Sequence, residues 1–163
     1  IIKPGMSRDE KIKVVTQYVR YNVWYSGNSD KSSIENAAYE GFTKWSGDCY
    51  TYYAMVKVML DMLEIPNMVV CAQDSDGDDH AWNMIQLEDD WYYVDTTWDD
   101  PVPDEEGRVA LHKYFNVTEG FLKENKHRWD SRELPKANNT KYSYENMTGK
   151  NSQELEYESK TLY

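Results

Sequence analysis

An α+β fold is the expectation for this chain of 163 residues, and two observations carry it. Apolar residues recur at helical spacing early in the chain: Ile12, Val15, Val19 and Val23, then Tyr52, Val56, Leu60 and Leu63. After Pro66, three short runs of strand type follow one another with only turns between them. Helices first and consecutive strands second make an antiparallel sheet, not an alternating parallel one.

The elements follow in order. Ser7 caps a helix that runs to about Tyr25, and Glu10 three positions on completes a capping box. Residues 26–33 form a polar loop, and a short helix covers Ile34 to Tyr39. The next helix starts at about Asp48, and Ile65-Pro66 stops it. Strands are expected over Asn67–Gln73, His80–Leu87 and Trp91–Thr97, with turns at 74–78 and 88–90. Leu111 to Phe115 reads as a strand or an ordered loop, and Thr118 to Glu124 as a short helix. The length suits one domain spanning 1–163, with a core over about 7–135 and a polar C-terminal extension over 136–163 that docks on it. The chain starts at Ile1 without Met or a signal-like segment and reads as a piece of a longer protein.

Composition narrows the function. The net charge is −11, from 29 acidic against 18 basic residues, so nucleic acid is not the partner; that role needs a basic footprint. No apolar run reaches membrane-spanning length, so no membrane insertion by this segment is expected. The aromatic complement is 14 Tyr and 6 Trp but 3 Phe, which suits half-wet clefts as well as cores. Two cysteines make no disulfide framework, and Cys71, in an apolar strand run, reads as a buried, inert thiol.

The chemistry lies in an ordered set of thiol, imidazole and carboxylate. Cys49 opens a helix, where unpaired amides and the helix dipole favour a negative charge. The thiolate is the nucleophilic form, and a nearby imidazole completes activation as a thiolate–imidazolium pair. His80 opens one strand and Asp95 closes the next, so a hairpin folds them toward each other. Strict alternation leaves the two several residues out of register, and a bulge or strong twist is expected to close the gap. Asp95 would then orient His80 as the third member of a triad.

The segments Gly47–Ala54, His80–Asn83 and Trp91–Pro101 resemble the transglutaminase-like superfamily, and most of all its bacterial cell-surface members. The similarity spans about 37–101, with a weaker one over the leading helix and over Tyr114 to Pro135. The resemblance implies a papain-like α+β core with the Cys helix packed on an antiparallel sheet. It implies a Cys49–His80–Asp95 catalytic triad, thioester chemistry on amides, no cofactor and an extracellular or cell-surface setting. The family holds cross-linkers, peptidases, deglycosylating amidases and inactive members, so membership alone leaves the reaction open. A papain-type oxyanion Gln six residues before the Cys would fall on Thr43, which has no amide donor. Tyr39 and Trp45 are the substitutes with a hydroxyl or indole N–H, and Trp82 and Trp98 adjoin the triad as cleft walls.

No metal site is expected. The 74–79 loop has its Gly too early for a calcium loop and Ile85 where the bidentate Glu belongs. His112 and His127 lack Cys or carboxylate partners at metal spacing, and His127-Arg128-Trp129-Asp130 reads as a packing motif. Acidic clusters at 74–79, 88–90 and 99–106 flank the catalytic strands; if they rim one cleft they attract cations such as lysine side chains or amines. The leading expectation is therefore a cysteine peptidase or amidase on a protein or peptide substrate. Hydrolysis is favoured over cross-linking, because no second-substrate site is visible. The alternatives are an inactive surface domain binding peptide or glycan, and an enzyme that needs flanking domains.

Overall fold

The computed structural model describes residues 1–74, 77–100, 109–153 and 156–157. Helix α1 (Arg8–Asn22) begins at the capping box: the Ser7 hydroxyl accepts from the Glu10 amide and the Glu10 carboxylate accepts from the Ser7 amide. Its Ile12, Val15 and Val19, with Val23 just beyond, are fully buried, worth about 1.5–3 kcal/mol each. The chain then enters a two-residue strand β1 (Trp24–Tyr25) before the polar loop. Helix α2 (Ile34–Lys44) is longer than its sequence suggests. Gly41 lets it continue, because a Cβ there would come 2.4 Å from the Met55 sulfur of the next helix. Close backbone packing thus outweighs the low helix propensity of glycine.

Strand β2 (Ser46–Gly47) pairs in parallel with β1, Tyr25 opposite Gly47. Helix α3 (Cys49–Met62) follows at once, with Asp48 as N-cap. Three strands come next: β3 (Asn67–Asp74), β4 (Asp79–Leu87) and β5 (Asp90–Val94). With the later β7 (His127–Arg128) they form one antiparallel sheet of order β5-β4-β3-β7. The fold is thus α+β with an antiparallel sheet, as expected. Short β6 (Val109–Ala110) and β8 (Glu156–Tyr157) pair with each other. Helices α4 (Glu119–Glu124) and α5 (Tyr144–Thr148) complete the described elements. Residues 111–115 form no strand, and α4 is capped by Thr118.

Two cores flank the sheet. One joins α1, α2 and α3 to Ile85, Leu87, Tyr92 and Val94. The other holds Val70, Trp82, Met84, Tyr93, Tyr114 and Leu122. Residues after 136 supply buried side chains to both, Ala137 to one and Tyr144 to the other. Outside the cores, Asn139 and Lys141 tie this segment to Asp90 and Glu88.

Cys71 departs from its expected burial: it is exposed. Alternation turns Val70 into one core and leaves Cys71 on the opposite face, beside Tyr50. Strand β5 also ends sooner than expected. Its ladder with β4 runs from Leu87↔Asp90 to Asn83↔Val94, and continuing it would place Thr97 opposite His80. Instead the Asp95 amide donates to the Tyr114 carbonyl at 3.0 Å and the chain leaves the sheet.

Candidate active site

Cys49 is the first residue of α3 and 5% exposed. Its position is held from two sides. Asp48 caps the helix by accepting from the Tyr50 amide at 2.9 Å, and its carboxylate also takes the Ser29 hydroxyl and pairs with Lys31 at 3.3 Å. On the other side, Gly47 packs directly on Thr51, where a Cβ would come 2.0 Å from the Thr51 hydroxyl oxygen. The β1–β2 pairing brings Tyr25 alongside this turn.

A cleft of about 280 Å³ opens over the sulfur. Cys49 and His80 line it, with Tyr25, Thr97 and Trp98 as walls. Asp78, Asp79 and Asp100 add carboxylates to its lining. Behind His80 lies Asp95, fully buried, with its Oδ2 2.6 Å from His80 Nε2. The expected bulge is absent from this approach. Asp95 reaches His80 because the chain has left the ladder and turned, with the Trp98 amide donating to Asp95 Oδ1 at 3.1 Å.

The charges are coupled. Burial presses the His80 imidazole toward its neutral form, but the Asp95 charge and hydrogen bond outweigh it, helped by Cys49. His80 rises to about 10. Burial likewise works to raise the Asp95 carboxyl, yet the charge of His80 and hydrogen bonds from His127 and His80 hold it well below the usual carboxylate range. The arrangement keeps a protonated imidazole between the sulfur and a carboxylate at neutral pH, which is the state a thiolate–imidazolium pair requires.

The other residues expected here separate into two groups. Trp98 lines the cleft and lies 5.4 Å from His80, ring centre to ring centre. Trp82 is buried and 5.5 Å from His80, so it backs the imidazole from inside the protein. Tyr39 and Trp45 are not part of this cleft. Tyr39 is 70% exposed on α2, and Trp45 sits at the left-handed end of α2, packed against Tyr18 and Phe42. Both follow from α2 extending to Lys44, which carries these rings away from the Cys49 turn.

The acidic clusters also divide. Glu88 pairs with Lys141 and accepts from the Tyr142 hydroxyl, and Asp90 accepts from Asn139, so that turn serves the C-terminal segment. Asp99 and Asp100 are buried rather than solvated, with Asp99 accepting from the Tyr114 amide and Asp100 from the Tyr52 hydroxyl. Residues 75, 76 and 101–106 of the expected clusters lie outside the described residues.

Two residues of the site were not legible. Tyr25 arrives through the β1–β2 pairing, which no local pattern announces. Sequence spacing offers His127 no Cys or carboxylate partner, and the structure supplies one from 32 positions away. His127 is fully buried, with Nε2 2.8 Å from Asp95 Oδ2. The positive φ of Lys126 (72°) reverses the chain after α4 and turns His127 inward. His80, Asp95 and His127 are also the one set of three metal-type donors among the described residues, all within 4.8 Å of one another. Both imidazoles are already engaged by the same Asp95 oxygen, so an ion there would have to displace both hydrogen bonds.

No helix among the described residues is long and apolar enough to cross a membrane. No curated protein matches the sequence significantly. Among solved structures, a transglutaminase (TGase) resembles the chain with a TM-score of 0.49 and 18% identity, over 62% of this chain and 29% of its own. A candidate cysteine protease from Cytophaga hutchinsonii gives 0.49 and 20%, over 56% of this chain and 32% of its own. The periplasmic domain of TgpA from Pseudomonas aeruginosa gives 0.44 and 19%, over 53% and 35%. The chain thus spans about a third of the length of the structures it resembles. The sequence profile described as "Transglutaminase-like superfamily" matches residues 1–96, a stretch that contains Cys49, His80 and Asp95; the chain belongs to the transglutaminase-like superfamily.

Proposed function

We propose that this chain is one domain of a cysteine-dependent acyl-transfer enzyme that hydrolyses peptide or side-chain amides, with Cys49, His80 and Asp95 as its catalytic triad. One observation carries the reading: Cys49 opens α3 at the floor of a cleft that it shares with His80, whose imidazole is held by a buried carboxylate.

The chemistry follows from the roles these groups can fill. The Cys49 thiolate attacks the amide carbon, and the carbonyl π pair moves onto oxygen. As the tetrahedral intermediate collapses, the C–N bond breaks and the His80 imidazolium protonates the departing nitrogen. A thioester on Cys49 remains. Neutral His80 then takes a proton from water as its oxygen attacks the thioester. Collapse releases the carboxylic acid and returns the proton to the Cys49–His80 pair. Asp95 holds the imidazole with Nε2 toward itself, so Nδ1 is the nitrogen left to exchange protons. The first amide of α3 is the oxyanion donor in this reading, and Tyr25 lines the same cleft.

Asp78, Asp79 and Asp100 favour substrates that bring a positive group to the cleft, such as a lysine side chain or an amine. An amine in place of water would give cross-linking by the same steps. Hydrolysis is preferred because, among the described residues, the cleft of about 280 Å³ offers no separate second-substrate site. An extracellular or cell-surface setting accompanies the resemblance to bacterial surface members.

The test is a peptide library scored for both cleavage and amine incorporation, with Cys49→Ala as control, alongside iodoacetamide labelling across pH. Cys49-dependent turnover is expected. A Cys49 no more reactive than a free thiol, with no turnover of either kind, would leave a non-catalytic binding domain as the better account.

A further inference from the structure

Asp95 has one more partner than a triad needs. Its Oδ2 lies 2.6 Å from His80 Nε2 and 2.8 Å from His127 Nε2. The other nitrogen of His127, Nδ1, lies 3.0 Å from the carbonyl oxygen of Asn125. A carbonyl accepts hydrogen bonds and never donates them, and the same is true of an ionised carboxylate. Both ring nitrogens of His127 therefore face acceptor oxygens.

Its surroundings suit a cation. The ring centre of Trp98 is 4.4 Å away, that of Trp82 4.9 Å and that of Tyr114 5.7 Å. Aromatic rings within about 6 Å attract a positive charge. His127 is fully buried and lies beyond the 1–96 stretch that the family profile matches.

We infer that His127 is a positioning residue: it anchors the Asp95 oxygen that orients His80, and its positive charge divides that carboxylate between two imidazoles. This rests on the triad proposed above. A buried carboxylate devoted to His80 alone would hold its proton too tightly for release to a leaving amine. A second cation on the same oxygen weakens that hold while keeping the carboxylate fixed. His127 is not itself a lining residue of the cleft: it packs behind the Trp98 wall and meets the site through the Asp95 oxygen.

Other groups face this pair. Cys49 approaches His80 from α3, and Asp99 and Tyr114 are close enough to feel the Asp95 charge. Asp78, Asp79, Asp100 and Tyr25 line the cleft together with His80. Arg128, next to His127, directs its guanidinium to the carbonyls of Lys123 and His127 itself. Both imidazoles meet the Asp95 carboxylate directly, His80 at 2.6 Å and His127 at 2.8 Å. At the 5.5 Å between their ring centres, a full charge in an effective dielectric of about 20 displaces a neighbour's titration by roughly 2 pH units.

The test uses nitrogen-15 NMR of the histidine rings in the whole chain, which needs no substrate. At pH 7 the wild-type His127 should show two protonated nitrogens, and a neutral tautomer would overturn the inference. In His127→Gln, which removes the charge, the midpoint of the His80 titration should move up by about 1 to 2 units. A folded variant with an unmoved midpoint also overturns it. If His127→Gln does not fold, the wild-type spectrum still decides. Iodoacetamide labelling of Cys49, read by peptide mass spectrometry because Cys71 is exposed, separates this result from failure of the triad itself. An inert Cys49 beside a doubly protonated His127 would sink the proposed function and leave the imidazolium assignment standing.

Discussion

Replacing Asp95 with Asn probes the site most directly. Asn keeps the shape but carries no charge, and its carbonyl oxygen cannot neutralise two imidazolium rings. The loss can be sized from His80. Burial alone would lower that imidazole, yet the Asp95 charge and hydrogen bond, with Cys49, raise it from 6.5 to about 10. That difference corresponds to about 5 kcal/mol of interaction, at the top of the roughly 3–5 kcal/mol expected for breaking a buried pair. Little discount for solvent applies, because His80 is 7% exposed and Asp95 0%. The low position of the Asp95 carboxyl is the same interaction seen from its partner, so it is counted once. A group raised in the folded state contributes its full stability below its unfolded value and loses it as pH climbs through the folded one. The gap between wild type and Asp95→Asn should therefore be widest near pH 6. It should shrink to about 1 kcal/mol by pH 9.5 as His80 approaches its own midpoint. In a chain of this size about 5 kcal/mol lowers Tm by roughly 10–20 °C. Urea unfolding of both proteins at pH 6, 7.5 and 9.5 measures the gap, with equal m values as the check on two-state behaviour. A gap that is flat with pH would refute the claim that Asp95 holds His80 as a cation. A gap well under 1 kcal/mol at pH 6 would do the same.

Two further outcomes follow from the walls of the site. Gly47→Ala would drive a Cβ to 2.0 Å from the Thr51 hydroxyl oxygen, so the α3 turn must shift. About 1–3 kcal/mol of destabilisation is expected. A larger fractional loss of Cys49 alkylation than of folded protein should accompany it, and an unchanged melting curve would contradict the close packing. Asp78→Asn with Asp79→Asn should raise KM for a cationic amide substrate by several-fold at low salt, leave kcat nearly unchanged, and lose its effect at high salt. Equal KM changes for neutral and cationic substrates would remove these carboxylates from recognition.

Local grammar made much of this chain legible. The Ser7–Glu10 box starts α1, Asp48 starts α3, and Cys49 falls on the first helical residue because the cap precedes it. The alternation of β3 to β5 announced an antiparallel sheet and brought His80 and Asp95 to one end of a hairpin. These features depend on residues a few positions apart, which a sequence displays directly.

Tertiary structure decided the rest, because the deciding contacts join residues far apart in the chain. The end of α2 moved when Gly41 met Met55, and that took Tyr39 and Trp45 away from the expected oxyanion position. Asp95 meets His80 only because its amide finds the Tyr114 carbonyl instead of the ladder. His127 joins Asp95 across 32 positions, after a reversal at Lys126 that leaves no local signature. Sequence pattern alone therefore determined the thiol, its helix and the class of fold. Three-dimensional packing determined how many charges surround the carboxylate behind it, since desolvation and opposite charge act through space and not along the chain.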